Sequence, residues 1–333
     1  MKHLFVFLLL FISTYSCNSI PPKETIVIAH RGASGYLPEH TLESYSLAYG
    51  QGANFIEADV VLTKDDKAVI LHDIYLESTT NIKDVFPKRK RSDGHFYAID
   101  FTLAEIKNLR AGERKNNKSH KQVFPKRFPA SVRIFTVPTL VEFLELIKGL
   151  NKSGQKTVGI YPELKRPEFH RQNKKDITKI VYNLLKEYGY ENKPQEIFIQ
   201  SFDAVCLKRL KNTIKTNIPL IQLISKKNMV PLNLNSENLS LGLVQIKKYA
   251  DGIGSSYKKL LQKNKKGQWQ KSSLAKLAKE KGLLLHPYTL RADDIPKEFS
   301  SFDNLVQTLV MTAHVDGFFS DFTDKTKQAL AKI

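Results

Sequence analysis

Cysteine is nearly absent from this chain of 333 residues, with two in all, Cys17 and Cys206. If Cys17 is lipidated or removed, no intramolecular disulfide can form, so a disulfide-stapled scaffold is excluded. Long apolar runs are equally scarce. The unbroken stretch Leu4 to Ile12, preceded by Lys2 and His3, holds nine residues, too few to span a bilayer. It reads as the core of a secretory signal over residues 1–16, not as a transmembrane helix. Cys17 follows Ser16 where cleavage is expected. Two outcomes stay open there, plain secretion or a lipid anchor on the Cys17 thiol, and Thr14 and Tyr15 are poor fits to the small-and-aliphatic pattern of a lipidation site.

Acidic residues are in deficit, 33 against 52 Lys and Arg, for a formal net charge of +19. Such a balance suits nucleic acid, an anionic membrane surface or a Lys-rich solvated exterior. The basic runs Lys88–Arg91 and Lys263–Lys266 are short and lack interleaved aromatic residues, so a single-strand stacking platform is missing and no nucleic-acid partner is expected. No P-loop, Gly-x-Ser-x-Gly elbow, sequence repeat or low-complexity tract occurs. With 41% apolar and 26% charged residues, the composition is that of an ordinary globular protein with one large core or two smaller ones.

What is present begins at Ile26–Gly35, an apolar run that ends abruptly in His30, Arg31 and a glycine-containing loop. Thr41 is a plausible N-cap for a helix after it. Residues 54–62 and 68–72 are strand-like and too close together for a crossover helix, which predicts a hairpin. The basic interval 81–137 has one good helix, Thr102 to Leu109, and reads as an inserted lid or subdomain. Strands then alternate with helices: strands at 157–163, 196–201, 218–224, 251–254, 283–288 and 316–320, helices near 138–150, 174–188, 203–214, 237–249, 271–281, 302–314 and 323–332. That alternation predicts a parallel α/β sheet with helices outside. Nine strands are one too many for a TIM (β/α)8 barrel, and the hairpin is the expected surplus. Residues 17–333 are thus expected to form one catalytic barrel with the insertion after its early strands.

Glu57 and Asp59 are two apart on a predicted strand and share one face. Two carboxylates about 4 Å apart repel by about 4 kcal/mol at an effective dielectric near 20. A shared proton or a cation must offset that, unless both point outward into salt bridges. With Glu163 arriving from another strand, an all-oxygen site for a hard cation is indicated, Ca²⁺ or Mg²⁺ rather than Zn²⁺. His30 and His72 both end predicted strands. A lone histidine there is more often a satisfied core or helix-capping group; converging on one pocket, the two make a general acid and base, one neutral and one protonated near neutral pH. Arg31 and Lys165 would add fixed positive charge suited to a phosphate. Gly32 and Gly35 would let backbone approach an anion, or simply serve a tight turn. Bases, hard-cation ligands and cations together point to phosphoryl chemistry.

His-Arg-Gly-Ala-Ser-Gly-Tyr-Leu-Pro-Glu-His-Thr (30–41), Glu-Ala-Asp-Val (57–60), Leu-His-Asp (71–73), Tyr-Pro-Glu-Leu-Lys (161–165), Gln-Ser-Phe-Asp (200–203), Asp-Gly-Ile-Gly (251–254) and His-Pro-Tyr-Thr (286–289) resemble, in order, the motifs of the bacterial periplasmic glycerophosphodiester phosphodiesterases. The resemblance implies a TIM barrel and Ca²⁺-dependent hydrolysis of glycerophosphodiesters to sn-glycerol 3-phosphate and an alcohol. It makes His30 and His72 the acid–base pair, Glu57, Asp59 and Glu163 the metal ligands, and Arg31 and Lys165 the phosphate holders, with His286 and Tyr288 lining the glycerol side. His40, where the wider family more often has Asn, and Thr323, where it often has Pro, depart from the pattern and are expected to affect loops only. The expected location is the periplasm or, through Cys17, the cell envelope. An enzyme of the same barrel type acting on intact phospholipid and a surface lipoprotein that binds envelope components are the rivals. The sequence is silent on oligomeric state and alcohol preference.

Overall fold

Ile26–Ala29 (β1) lies between two parallel neighbours, Phe55–Leu62 (β2) and, from the far end of the chain, Gly317–Ser320 (β11). In this computed structural model, which describes residues 24–225 and 238–333, Ala68–Ile70 (β3) turns back antiparallel on β2. The parallel sheet continues through Gly159–Leu164 (β4), Ile199–Ser201 (β5), Leu220–Ile224 (β6) and Gly252–Ser255 (β7). A small antiparallel hairpin follows, Leu261–Lys263 (β8) with Trp269–Lys271 (β9), then Leu284–Leu285 (β10) beside β7. The segment after β10 meets β11: Phe319 N donates to Pro287 O at 3.0 Å and Leu290 N to Phe319 O at 2.9 Å. Eight parallel strands therefore close into a (β/α)8 barrel, and the β2–β3 hairpin supplies the ninth strand. The signal segment and Cys17 lie outside the described residues.

The β8–β9 hairpin was not legible, because its strands are short and Lys-rich. It is set by its turn, where the Asn264 side chain accepts from Lys266 N and Gln268 N and Gly267 takes a φ of 76°.

Strand periodicity places the two layers of core. Ile56, Ala58, Val60, Ile160 and Leu164 face outward, packed under the surrounding helices. Ile28, Phe55, Tyr161, Ile221 and Phe319 face inward and plug the barrel floor. Because side chains alternate across a strand, the residues two further along each of these strands must stand one layer higher inside the barrel. Those residues are His30, Glu57, Glu163, Leu223 and Asp321.

The helices are closed by local signals. Thr41 accepts from Ser44 N at the head of Leu42–Gly50, and Thr139 with Glu142 forms a capping box on Leu140–Gly154. Thr102 and Glu105 make another on Leu103–Lys107, the helix expected in the insertion. Thr323 opens the closing helix, Thr323–Leu330. The insertion builds its own apolar cluster, in which Leu76, Ile82, Phe96, Phe101 and Phe135 pack on Val61 and Val69 of the hairpin. Cys206 is buried, with the Thr178 hydroxyl donating to its sulfur at 3.3 Å. Among the described residues no helix is long and apolar enough to cross a membrane.

Candidate active site

Above the apolar floor the C-terminal ends of the strands surround a cavity of about 430 Å³. Its inner wall is His30, Arg31, Glu57, His72, Glu163 and Lys165, and its outer wall includes Phe202, Tyr257, Tyr288 and Arg291. All seven residues expected to carry the chemistry are gathered here. Six line the cavity, and Asp59 lies beside Glu163, its Cα partner across the β2–β4 ladder.

Each histidine is held through one nitrogen by a carboxylate. His30 Nδ1 is 2.6 Å from Asp321 Oδ1, and His72 Nδ1 is 2.7 Å from Asp73 Oδ1. Nδ1–H donation to a carboxylate fixes the tautomer and leaves Nε2 with its lone pair for the cavity. Burial, and then the Arg31 charge, lower His30 to about 4; burial, Arg31 and Lys165 lower His72 to about 3. Burial, and then the fixed cations, thus work against the protonated member of the pair that the sequence led us to expect. Burial pushes Asp321 up, but the His30 ring and the Arg291 and Arg127 guanidiniums outweigh it and hold it well below the usual carboxylate range.

The carboxylates form a second cluster. Glu57 Oε2 accepts from Arg31 N at 2.7 Å, and Lys165 Nζ is 2.8 Å from Glu163 Oε1 and 3.5 Å from Asp59 Oδ1. Burial and the neighbouring Asp59 hold Glu57 well above the ordinary range, and burial with Asp59 takes Glu163 to about 8 against the pull of Lys165. Burial works against an ionised Asp59 too, yet Lys165 and the hydrogen bond from His40 hold it well below. The three acids titrate as a coupled set, in which charge on one works against charge on the next.

The residues fit a divalent cation. Donor atoms of His40, Glu57 and Asp59 lie within 4.8 Å of one another, with His40 rather than the expected Glu163 as the third member, and Asp59 Oδ1, which meets only the Lys165 ammonium at 3.5 Å, and Gln200 Oε1 are buried oxygens that make no hydrogen bond. Oxygen-rich, anionic and partly unsatisfied, such a donor set suits a hard ion.

His40 was expected to matter only to a loop, and the structure corrects this. Its Nε2 is 2.7 Å from Asp59 Oδ2 and its Nδ1 2.8 Å from the Tyr45 hydroxyl. It reaches inward because its backbone takes a left-handed φ of 62°, as Arg31 does at 60°, conformations that cost a non-glycine residue about 1 kcal/mol or more. His286 is also corrected. It is 1% exposed, absent from the cavity lining and 2.9 Å through Nδ1 from the Tyr161 hydroxyl. It points into the floor layer, and Tyr288, two residues on, stands in the cavity with its hydroxyl donating to Ile224 O at 2.7 Å.

Gly32 and Gly35 serve packing. A Cβ on Gly32 would lie 2.5 Å from Ser44 Oγ, and one on Gly35 2.5 Å from the Phe322 ring. No residue of the expected lid segment 81–137 lines the cavity. The segment stands beside the mouth, on the same end of the barrel, through Arg114 and Arg127. Asp321 and these two arginines were missed, because each finds its partner only through long-range closure of the chain.

Comparison with known proteins agrees with this geometry. Residues 30–325 match the family model described as the glycerophosphoryl diester phosphodiesterase family. A glycerophosphodiester phosphodiesterase of Haemophilus influenzae is 38% identical, covering 94% of this chain and 91% of its own length. That of Treponema pallidum is 34% identical, covering 93% of each. In structure, a diester phosphodiesterase of Silicibacter pomeroyi superposes with a TM-score of 0.71 at 21% identity, covering 93% of this chain and 94% of its own. A phosphodiesterase of Oleispira antarctica in complex with the product sn-glycerol-3-phosphate superposes at 0.59 with 24% identity, covering 92% and 96%. These two show likeness of fold.

Proposed function

The chain belongs to the glycerophosphoryl diester phosphodiesterase family, and we propose that it hydrolyses glycerophosphodiesters to sn-glycerol 3-phosphate and an alcohol with His30 and His72 as the acid–base pair. It is a phosphoric diester hydrolase. The observation that carries the finer reading is the pair of histidine–carboxylate units, His30–Asp321 and His72–Asp73, opening on one cavity beside a cluster of three acids.

Glu57, Asp59 and Glu163 are the proposed holders of a divalent ion, with His40 on Asp59, and Ca²⁺ is preferred over Mg²⁺ because a flexible carboxylate set suits its larger shell. When bound, such an ion supplies Lewis-acid polarisation of a phosphoryl or hydroxyl oxygen. Arg31 and Lys165 meet the anionic diester, and its negative charge offsets the part of the downward shift of both imidazoles that these cations add to burial. One neutral histidine takes the proton of the nucleophile, either water or the glycerol 2-hydroxyl, through Nε2, and the other, protonated from solvent once the diester is bound, gives its proton to the departing alcohol; where the 2-hydroxyl attacks, a water then opens the cyclic phosphate to glycerol 3-phosphate. Tyr288 and Phe202 border the space left for substrate. His286 supports the floor through Tyr161.

We also infer export. Residues 1–16 serve as the signal, and the mature chain from Cys17 is periplasmic or lipid-anchored through that cysteine.

The deciding experiment is product analysis with glycerophosphocholine in chelated enzyme, with Ca²⁺ or Mg²⁺ added back. Release of glycerol 3-phosphate and choline, restored better by Ca²⁺, is expected. Full activity in excess chelator at negligible metal content overturns the metal part, and a phosphocholine product overturns the bond assignment.

A further inference from the structure

The insertion carries a buried arginine, Arg127, and a half-buried one, Arg114, and their partners include the two carboxylates that hold the histidines. Arg127 places Nη2 2.7 Å from Asp321 Oδ2, while Asp321 Oδ1 holds His30. Arg114 places Nη1 2.6 Å from Asp73 Oδ2, while Asp73 Oδ1 holds His72. In both units one carboxylate oxygen holds the imidazole and the other meets an insertion arginine, together with Arg291 Nε at 2.9 Å on Asp321 and the Ser78 hydroxyl, donating at 2.8 Å, on Asp73.

The rest of each guanidinium is fixed as well. Arg127 Nε and Nη2 bind Asp293 at 2.8 and 3.1 Å, and its Nη1 donates to Ser34 O at 3.2 Å. The Ser34 hydroxyl in turn donates to His30 O at 2.7 Å, so one guanidinium restrains both the backbone and the ring of that histidine. Arg114 Nε and Nη2 grip Glu39 at 2.9 and 2.6 Å, and Glu39 also meets Arg31 Nη1 at 3.0 Å. The two side chains are 3% and 15% exposed.

We propose that Arg114 and Arg127 are positioning residues for phosphodiester hydrolysis, each clamping the carboxylate that orients one of the two histidines. The inserted segment thereby sets both ends of the proton-transfer pair without touching substrate. This inference rests on the reading of His30 and His72 as acid and base.

The fork of each guanidinium grips Asp293 or Glu39, which fixes the guanidinium so that one further N–H holds Asp321 or Asp73 in place, and a held carboxylate aims the imidazole it binds. The cation does not make the imidazole more basic, since positive charge works against imidazolium. Its contribution is orientation and tautomer. Lysine supplies the charge without the fork and is an incomplete substitute. The rival is that both arginines merely pin the insertion to the barrel, as buried ion pairs can.

Kinetics with glycerophosphocholine at saturating Ca²⁺, below the unfolding temperature of each variant, separate the two. Arg114→Met and Arg127→Met should each lower kcat on the order of 10- to 100-fold, as loss of an orienting partner does, with KM changed less than about threefold. The Lys variants should recover only part. In an Asp321→Asn background Arg127→Met should cost less than about twofold more, and Arg114→Met likewise in Asp73→Asn, because each effect passes through that carboxylate. Arg91→Met, which breaks the Arg91–Asp100 pair of the same insertion, should leave kcat unchanged. Normal kcat in the Met variants, equal losses in the wild-type and Asn backgrounds, or a loss in Arg91→Met as large as the others overturns the proposal. Should a Met variant not fold, its Lys variant carries the test, and wild-type kcat there overturns it. His30→Ala and His72→Ala run alongside distinguish the failures: near-normal rates sink the acid–base reading itself, whereas inactive histidine variants beside normal arginine variants sink only the clamp.

Discussion

Asp59 and Glu163 are Cα partners on adjacent parallel strands, and their shared buried corner moves the two carboxyls in opposite directions. Burial pushes Glu163 up to about 8, while Lys165 and the His40 hydrogen bond hold Asp59 well below the usual range against burial. A divalent ion bound there has to displace protons. Calcium binding near pH 7 should therefore release protons, so the calorimetric enthalpy will differ between buffers of different ionisation enthalpy. Identical enthalpies in Tris and Hepes would remove the three-acid site. Linkage gives a second readout. A carboxyl with a raised folded pKa stabilises the fold at low pH and loses that contribution as pH rises from about 4.5 to about 8. Chelated protein should lose thermal stability across this window, with Ca²⁺ protecting most at its upper end.

Replacing His30 or His72 by Ala should lower turnover by about a hundredfold or more, the usual worth of a positioned acid or base. Far-ultraviolet circular dichroism should stay as in the wild type. Nitrogen NMR of the parent at pH 6 should find both rings neutral and protonated on Nδ1, in keeping with their carboxylate partners and with values of about 4 and about 3. An imidazolium at pH 6 in either ring contradicts the electrostatic account.

His170 extends the argument to stability. Its Nε2 accepts from Leu62 N at 3.1 Å and its Nδ1 lies 3.0 Å from Arg166 O, and burial holds it at about 4. With His30 and His72 it stays neutral in the fold but gains a proton when unfolded. Stability is then fully present above about 6.5 and falls as pH drops toward about 4. Thermal unfolding of the Ca²⁺-loaded protein should show this fall, and His170→Leu, less stable at pH 7.5, should show a shallower one. Parallel slopes would exclude His170 as a contributor.

His40→Asn should keep the hydrogen bond to Asp59 within reach of an amide donor, whereas His40→Ala leaves Asp59 Oδ2 without its 2.7 Å partner. Removing one partner of a buried charge costs on the order of 3–5 kcal/mol. The Ala variant should bind Ca²⁺ at least about tenfold more weakly than the Asn variant. Equal affinities by titration would return His40 to a loop role.

The sequence by itself determined the barrel and most of its working surface. Strands such as Phe55–Leu62 alternate with period two, so an apolar floor at Phe55 obliges Glu57 and Asp59 to stand above it, and the same holds from Ile28 to His30 and from Tyr161 to Glu163 and Lys165. The hairpin was legible because the spacing after Leu62 allowed no helix. Local rules of this kind need only neighbouring residues. Tertiary structure decided the rest. Asp321 meets His30 across 291 positions of sequence, which only closure of β1 against β11 brings about. His40 enters the site through one left-handed residue that no periodicity marks. His286 sinks into the floor because the pleat of its strand ends one layer lower than its position near the mouth suggested. The insertion could be seen as basic and irregular, but where it stands relative to the cavity depends on where Arg114 and Arg127 find their carboxylates. Proton states were the least legible: burial and neighbouring charge shift the acids and histidines in ways set by distances that exist only once eight strands have met.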